Sequence, residues 1–97
     1  MKPFNIYIEH YTIENNYTVY IHHYDGSTDL VHPLELAEDI SINEAQDITN
    51  NLIARYSLHG TVMIHIYQYE GVFDLKNVKT LTTEEFNQSG IKNITNS

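Results

Sequence analysis

The feature that most constrains the fold of this 97-residue chain is a regular alternation of apolar and polar side chains on both sides of Asn15-Asn16. Residues 4–13 and 17–24 both have this period of two, which is typical of β-strands that bury one face. Asparagine tolerates the positive φ that a two-residue hairpin turn needs. The segment is therefore predicted to be a β-hairpin whose turn is Asn15-Asn16.

The predicted turn also fixes the register of this hairpin, with Glu14 opposite Tyr17. Aromatic side chains then face each other across the strands, an arrangement that stabilises antiparallel pairs. A slip of one residue would move every side chain to the opposite face of the sheet. The expected pairs on one face are Tyr11 with Tyr20, Glu9 with His22, and Tyr7 with Tyr24.

Further along the chain, turn and capping signals predict a second hairpin and two helices. Residues 61–79 form the hairpin, with a turn at Glu70-Gly71 because glycine supplies the unusual φ. Ser41–Glu44 is a capping box that starts a long helix, and Thr82–Glu85 contains a second box that starts a short one.

Together these elements predict an α+β fold made of a single small domain that spans residues 1–97. The sheet is expected to be antiparallel, with two β-hairpins and four or five strands. One main helix packs on one face of the sheet, and a short C-terminal helix follows. Residues 29–36 are compatible with an additional edge strand, since Pro33 is excluded from the centre of a sheet. The polar tail 91–97 is expected to fray.

Charge is distributed unevenly along the sequence, whose net charge is -8. From Pro3 to Ala54 the chain runs for 52 residues without a lysine or arginine, and this window holds nine of the 13 acidic residues. A field of one sign is informative about binding partners rather than about the fold. The window therefore points to a partner that carries positive charge.

Seven of these carboxylates lie between Asp25 and Asp47, and they are the predicted partner-binding residues. Their spacing on a strand or a helix lets a row of carboxylates imitate a row of phosphates in front of a basic groove. The alternative is a solvated acidic face that keeps a small protein soluble. The seven residues are Asp25, Asp29, Glu35, Glu38, Asp39, Glu44 and Asp47.

Tyrosines form a second candidate surface, because most of the eight fall on strand positions opposite to the aliphatic core. One helix covers only one face of a sheet, so this aromatic face is expected to meet the C-terminal segment, a second copy or a partner. Alternatively, the tyrosines only stabilise the hairpins through cross-strand pairs. The residues concerned are Tyr7, Tyr11, Tyr20, Tyr24, Tyr67 and Tyr69.

Composition and motifs argue against catalysis and cofactor binding. The chain has no cysteine, which excludes thiolate metal sites and cysteine nucleophiles. It has neither a P-loop nor an H-E-x-x-H motif, and four glycines are too few for a phosphate-cradling loop. Zinc accepts one glutamate and two histidines as ligands, and Glu9, His22 and His65 share a predicted face, but no histidine pair has the usual spacing of metal ligands. We expect a protein that is not an enzyme and binds no metal or cofactor.

The sequence also argues against direct binding to membranes and nucleic acids. No apolar run approaches the roughly 18 residues that a membrane-spanning helix needs. The N-terminus lacks the continuous apolar segment of a signal peptide. The acidic charge is repelled by nucleic-acid backbones and by anionic membrane surfaces. We therefore expect a cytoplasmic protein whose partner is another protein.

In size, acidity and its Asn/Ile/Tyr-rich composition, the chain is similar to small acidic proteins with which phages and mobile elements block host defence. Nucleic-acid-mimicking anti-restriction and anti-CRISPR inhibitors are examples of this class. The resemblance implies an inhibitor that docks the basic, nucleic-acid-binding surface of a partner protein, in the host cytoplasm if it comes from a phage. The alternative is a homo-oligomeric accessory protein, most simply a homodimer, that self-associates through its tyrosines.

Overall fold

The computed structural model describes residues 3–23, 32–71 and 75–95, and within these ranges the chain forms five strands and two helices. The α+β class predicted from the sequence is therefore confirmed. The elements in chain order are β1 (Phe4–Tyr11), β2 (Asn16–His23), β3 (Glu35–Ile40), α1 (Ile42–Tyr56), β4 (Val62–Tyr69), β5 (Leu75–Thr82) and α2 (Thr83–Thr95).

The strands form one mixed sheet in the order β3-β2-β1-β4-β5. β1 pairs antiparallel with β2 but parallel with β4, whereas β2–β3 and β4–β5 are antiparallel. The prediction of an antiparallel sheet is therefore wrong at its centre. The cause is α1, which crosses from β3 at one edge of the sheet and delivers β4 alongside β1 in the same direction.

The predicted register of β1 and β2 is also wrong, because Tyr20 lies opposite Tyr7 rather than Tyr11. The loop between the strands is longer than two residues, since Thr12 leaves β1 to bind β4. Its backbone N–H and its hydroxyl both donate to the carbonyl of Tyr69, at 3.4 and 2.7 Å. The displacement covers an even number of positions, so the residues within β1 and β2 keep their predicted faces.

Both helices pack on one face of the sheet, where the core lies. Leu52 of α1 and Phe86 of α2 are 1% and 0% exposed, and they belong to the same cluster as the buried strand residues. Burying these apolar side chains supplies most of the folding free energy. The strand residues beneath the helices are Ile6, Ile8, Val19, Ile21, Ile64 and Ile66.

The two predicted capping boxes start the two helices. At α1, the Ser41 hydroxyl accepts the Glu44 backbone N–H at 3.2 Å, and the Glu44 carboxylate accepts the Ser41 N–H at 3.3 Å. Thr82 and Glu85 exchange the same pair of bonds at α2, at 3.2 and 3.0 Å. Each box satisfies backbone donors that the first turn of a helix leaves without partners.

The C-terminal helix runs further than the sequence indicates. Gly90 adopts a φ of 69° and kinks the helix, but helical structure resumes and reaches Thr95. Ile91 is fully buried, and its backbone N–H donates to the Gln46 side chain of α1 at 2.8 Å. The tail that was expected to fray is thus helical from Ile91 to Thr95. The buried side chain of Ile91, which belongs to the core, holds it against the rest of the fold.

Replacing Ser41 with alanine removes the hydroxyl of the first capping box. We expect the free energy of unfolding to fall by about 1 kcal/mol, the usual cost of a lost N-terminal cap. Urea denaturation followed by circular dichroism measures the change. Ser57→Ala, at the other end of α1, is the control and should alter stability by less than about 0.5 kcal/mol. Equal effects of the two substitutions would contradict the role of the cap.

Candidate functional site

The face of the sheet opposite the helices carries the predicted tyrosines. We call it the tyrosine face and define it by Tyr7, Tyr11, Tyr20, Tyr67 and Tyr69, which alternate with the core residues along β1, β2 and β4. Tyr24, the sixth predicted member, lies outside the described residues. Neither α1 nor α2 covers this face, so in the described part of the chain its side chains are only half-buried.

The rings of the tyrosine face stack in rows that cross the strands. Tyr7 lies between Tyr20 and His65, with centroid separations of 5.1 and 4.9 Å. Tyr11 and Tyr69 form a second stack at 4.5 Å, with planes only 7° apart. Stacked pairs of this kind stabilise the sheet beyond the area they bury. Stacking also restricts the rings before a partner binds, which lowers the conformational entropy that the face itself loses on binding.

One carboxylate lies among these rings. Glu9 accepts a hydrogen bond from the Tyr11 hydroxyl at 2.9 Å and from the Tyr20 hydroxyl at 2.8 Å. Burial and these bonds raise the pKa of both tyrosine hydroxyls, so they remain protonated donors at neutral pH. The expected pairing of Glu9 with His22 is wrong, because the corrected register places Thr18 opposite Glu9.

Beside Glu9, the tyrosine face opens into a groove of about 520 Å³ that extends to the β3 edge of the sheet. This volume falls within the range of ordinary ligand sites. The apolar and aromatic part of its lining consists of Tyr11, Tyr20, Pro33 and Leu36. We call it the acidic groove, because four carboxylates contribute to it: Glu9, Glu14, Glu38 and Asp39.

A bulge in β3 places two of these carboxylates. The pairing of β2 with β3 shifts by one residue between Tyr17 and Val19, so β3 contributes an extra residue there. Asp39 adopts a φ of 55°, and its carboxylate accepts a hydrogen bond from the Asn16 side chain at 3.4 Å. Asp39 and its neighbour Glu38 are both exposed and line the groove.

The structure brings some of the predicted partner-binding carboxylates together with some of the predicted tyrosines, and it places other carboxylates elsewhere. Glu38 and Asp39, from the acidic set, share the acidic groove with Tyr11 and Tyr20, from the aromatic set. Asp47 is exposed on α1 and lines a different, smaller groove. Asp25 and Asp29 are outside the described residues.

Two predicted partner-binding carboxylates have structural partners within the chain. Glu44 closes the capping box of α1. Glu35 points to the helix side of the sheet, where both its oxygens contact the Arg55 guanidinium at 2.7 Å and one accepts the Tyr56 hydroxyl at 2.8 Å. The hydrogen bonds from Arg55 hold the pKa of Glu35 below its usual value. Glu35 and Glu44 are therefore poor candidates for binding a partner.

Glu9, Glu14 and Leu36 line the acidic groove but are not among the residues that the sequence predicts to bind a partner. The acidic prediction began at Asp25 because carboxylates are most concentrated from that point on. The strand alternation nevertheless places Glu9 on the same face as its neighbours Tyr7 and Tyr11. Any partner that binds these tyrosines therefore also meets Glu9.

His65 closes the central aromatic row and is held by polar neighbours. Its Nε2 donates to the Asn5 side-chain oxygen at 2.8 Å, and its Nδ1 lies 3.3 Å from the Thr80 hydroxyl. Burial lowers the pKa of His65, so the ring is neutral at pH 7. Within the described ranges, no three histidine, aspartate or glutamate side chains are arranged to hold a metal ion.

The lowered pKa of His65 predicts a pH-dependent stability. In the unfolded chain a histidine has a pKa of about 6.5. As the pH falls, the unfolded chain therefore takes up a proton at this position at a higher pH than the folded chain does. Protonation therefore favours the unfolded chain, and the free energy of unfolding should fall as the pH drops below about 6.5. We expect the fall between pH 7.5 and 5.5 to be smaller in His65→Gln. The exposed His59→Gln variant is the control, and an NMR titration midpoint for His65 above the usual value would contradict the account.

No protein-family model matches the sequence, and no curated protein or solved structure is significantly similar to it. The geometry and charge of the acidic groove and the tyrosine face are therefore the basis for a functional proposal. In the described residues, no helix is long and apolar enough to cross a membrane.

Proposed function

We propose that this protein is a small, non-enzymatic binding protein whose acidic groove and tyrosine face dock a basic surface of another protein. The observation that carries the proposal is the meeting of four carboxylates with Tyr11 and Tyr20 in one groove. None of the described residues that line it is a lysine or arginine. Aromatic rings supply contact area and carboxylates supply charge complementarity, which together favour a partner rich in lysine and arginine.

The proposed partner uses its basic surface to bind nucleic acid. Such a surface is built to contact rows of negative charges, and the groove presents carboxylates to it instead. Occupying this surface displaces the nucleic acid, so the protein acts as an inhibitor, as phage anti-defence proteins of the nucleic-acid-mimicking kind do. The attraction acts at long range and makes association fast at low salt.

The test starts with capture of a partner on the immobilised protein at low salt, elution at high salt, and identification by mass spectrometry. The purified partner is then titrated with the protein while the partner's bound nucleic acid is monitored. We expect the nucleic acid to be released, and the affinity to fall steeply with salt. Affinity that is unchanged by salt and by neutralising Glu9, Glu38 and Asp39 would overturn the proposal.

A second candidate function is a homo-oligomeric accessory protein, most simply a homodimer, that self-associates through the tyrosine face. The breadth of this face favours it, since the rings of five tyrosines lie on a side of the sheet that neither helix covers. Two such faces in contact would also bring two copies of Glu9 together, and like charges repel. The homodimer predicts twice the 11.3 kDa chain mass in light scattering and dissociation by Tyr11→Ser with Tyr20→Ser. A monomer at high concentration would contradict it.

A further inference from the structure

On the helix side of the sheet, a carboxylate, a tyrosine and an arginine of the chain bind one another. Glu35 accepts the Tyr56 hydroxyl at 2.8 Å and binds both terminal nitrogens of the Arg55 guanidinium at 2.7 Å. The guanidinium carbon also lies 5.6 Å from the centre of the Tyr56 ring. A planar guanidinium satisfies a carboxylate at two points while it contacts an aromatic ring.

The acidic groove has the carboxylate and the tyrosines of this arrangement. Glu9 accepts the hydroxyls of Tyr11 and Tyr20 at 2.9 and 2.8 Å, much as Glu35 accepts that of Tyr56. No lysine or arginine in the described part of the chain makes an ion pair with Glu9. A carboxylate has room for about four hydrogen bonds, so Glu9 can accept more donors than the two tyrosines supply.

We propose that the acidic groove binds an arginine side chain of the partner, with its guanidinium against the tyrosine rings and hydrogen-bonded to Glu9. This inference rests on the proposed function and specifies the chemistry of its contact. Glu38 and Asp39 at the β3 edge add negative charge beside the same position. Leu36, 52% exposed on the same edge, offers apolar surface to the methylene stem of the arginine.

Arginine fits this groove better than lysine does. The guanidinium is planar, weakly hydrated and able to bind a carboxylate through two N–H groups, whereas the lysine ammonium is a compact, strongly hydrated charge. The two tyrosine hydroxyls also fix the position of the Glu9 carboxylate, which favours a ligand with a defined shape. A groove that recognised charge alone would not distinguish the two residues.

The test uses three fluorescently labelled peptides that share one glycine-serine background and carry three arginines, three lysines or three citrullines. Citrulline keeps the shape of arginine but has no charge. We expect the arginine peptide to bind the full chain roughly fivefold or more tightly than the lysine peptide at low salt, and the citrulline peptide not to bind. Glu9→Gln should abolish the preference for arginine, whereas Glu84→Gln on α2 makes the same change of charge and should preserve it.

The outcomes separate the inference from the proposed function. Equal, salt-sensitive binding of the arginine and lysine peptides would overturn the proposed arginine site. It would still be consistent with a partner that carries a basic surface. If neither charged peptide binds at low salt, the proposed function is itself wrong. A preference for arginine that survives in Glu9→Gln and in Tyr20→Leu would place its cause outside the groove. Circular dichroism of each variant verifies that it is folded. The comparison of the three peptides uses the unsubstituted chain, so it holds even if a variant fails to fold.

Discussion

Replacing Phe86 with alanine is expected to lower the free energy of unfolding by about 3–5 kcal/mol, the usual cost of removing a buried phenylalanine ring. Phe86 is fully buried in the core cluster and anchors α2 to the sheet. A domain of this size is stable by only about 5–15 kcal/mol, so the loss is a large part of the total. Urea denaturation followed by circular dichroism measures it.

The matched control is Gln88→Ala, an exposed position in the same helix. It should change the free energy of unfolding by no more than about 0.5 kcal/mol. A Phe86→Ala variant that lost less than about 1 kcal/mol would mean that α2 is not docked on the sheet, because full burial of the ring is incompatible with so small an effect.

Reversing the charge of Glu38 is expected to have the largest effect on binding. Glu38 is exposed at the β3 edge and lines the acidic groove. A lysine there faces the positive charges of the partner, and like charges brought together at an interface cost several kcal/mol. We expect Glu38→Lys to weaken binding of the three-arginine peptide roughly tenfold to hundredfold at low salt.

The control is Glu84→Lys, which makes the same change in net charge on α2, on the helix side of the sheet. It should weaken binding of the peptide much less, and raising the salt should reduce the effect of Glu38→Lys. Equal losses in the two variants would show that only the net charge of the protein matters and that the groove has no special role.

Local signals in the sequence predicted the parts of the fold that depend on local interactions. The Ser41–Glu44 and Thr82–Glu85 boxes both start helices, because capping needs only residues three positions apart. The strand alternation also predicted which side chains share a face, because that depends only on the period of two. These features follow from the backbone geometry of short segments.

The arrangement of the strands could not be predicted, because it depends on contacts between distant segments. Thr12 binds the carbonyl of Tyr69, 57 residues away, and this contact ends β1 earlier than its own sequence indicates. Ile6 on β1 and Ile64 on β4 face the same core whether their strands run parallel or antiparallel. Alternation alone therefore cannot determine the direction of pairing.

For the candidate site, the sequence likewise predicted the features that depend on strand parity but not those that depend on contacts between distant segments. Tyr11 and Tyr20 were assigned to one face correctly, since the face follows from strand parity. The internal ion pair of Glu35 with Arg55 could not be predicted, because it joins residues 20 positions apart on different elements. The β3 bulge, which brings Asp39 to the acidic groove beside β1 and β2, also depends on pairing between distant segments.

The most direct test of the binding site is an NMR titration of the isotope-labelled full chain with the three-arginine peptide at low salt. We predict that the largest backbone amide shifts occur around Glu9, Tyr20 and Glu38, with little change along β5. Shifts centred on Asp47 of α1, with the groove residues unchanged, would contradict the assignment of the acidic groove and the tyrosine face as the binding surface.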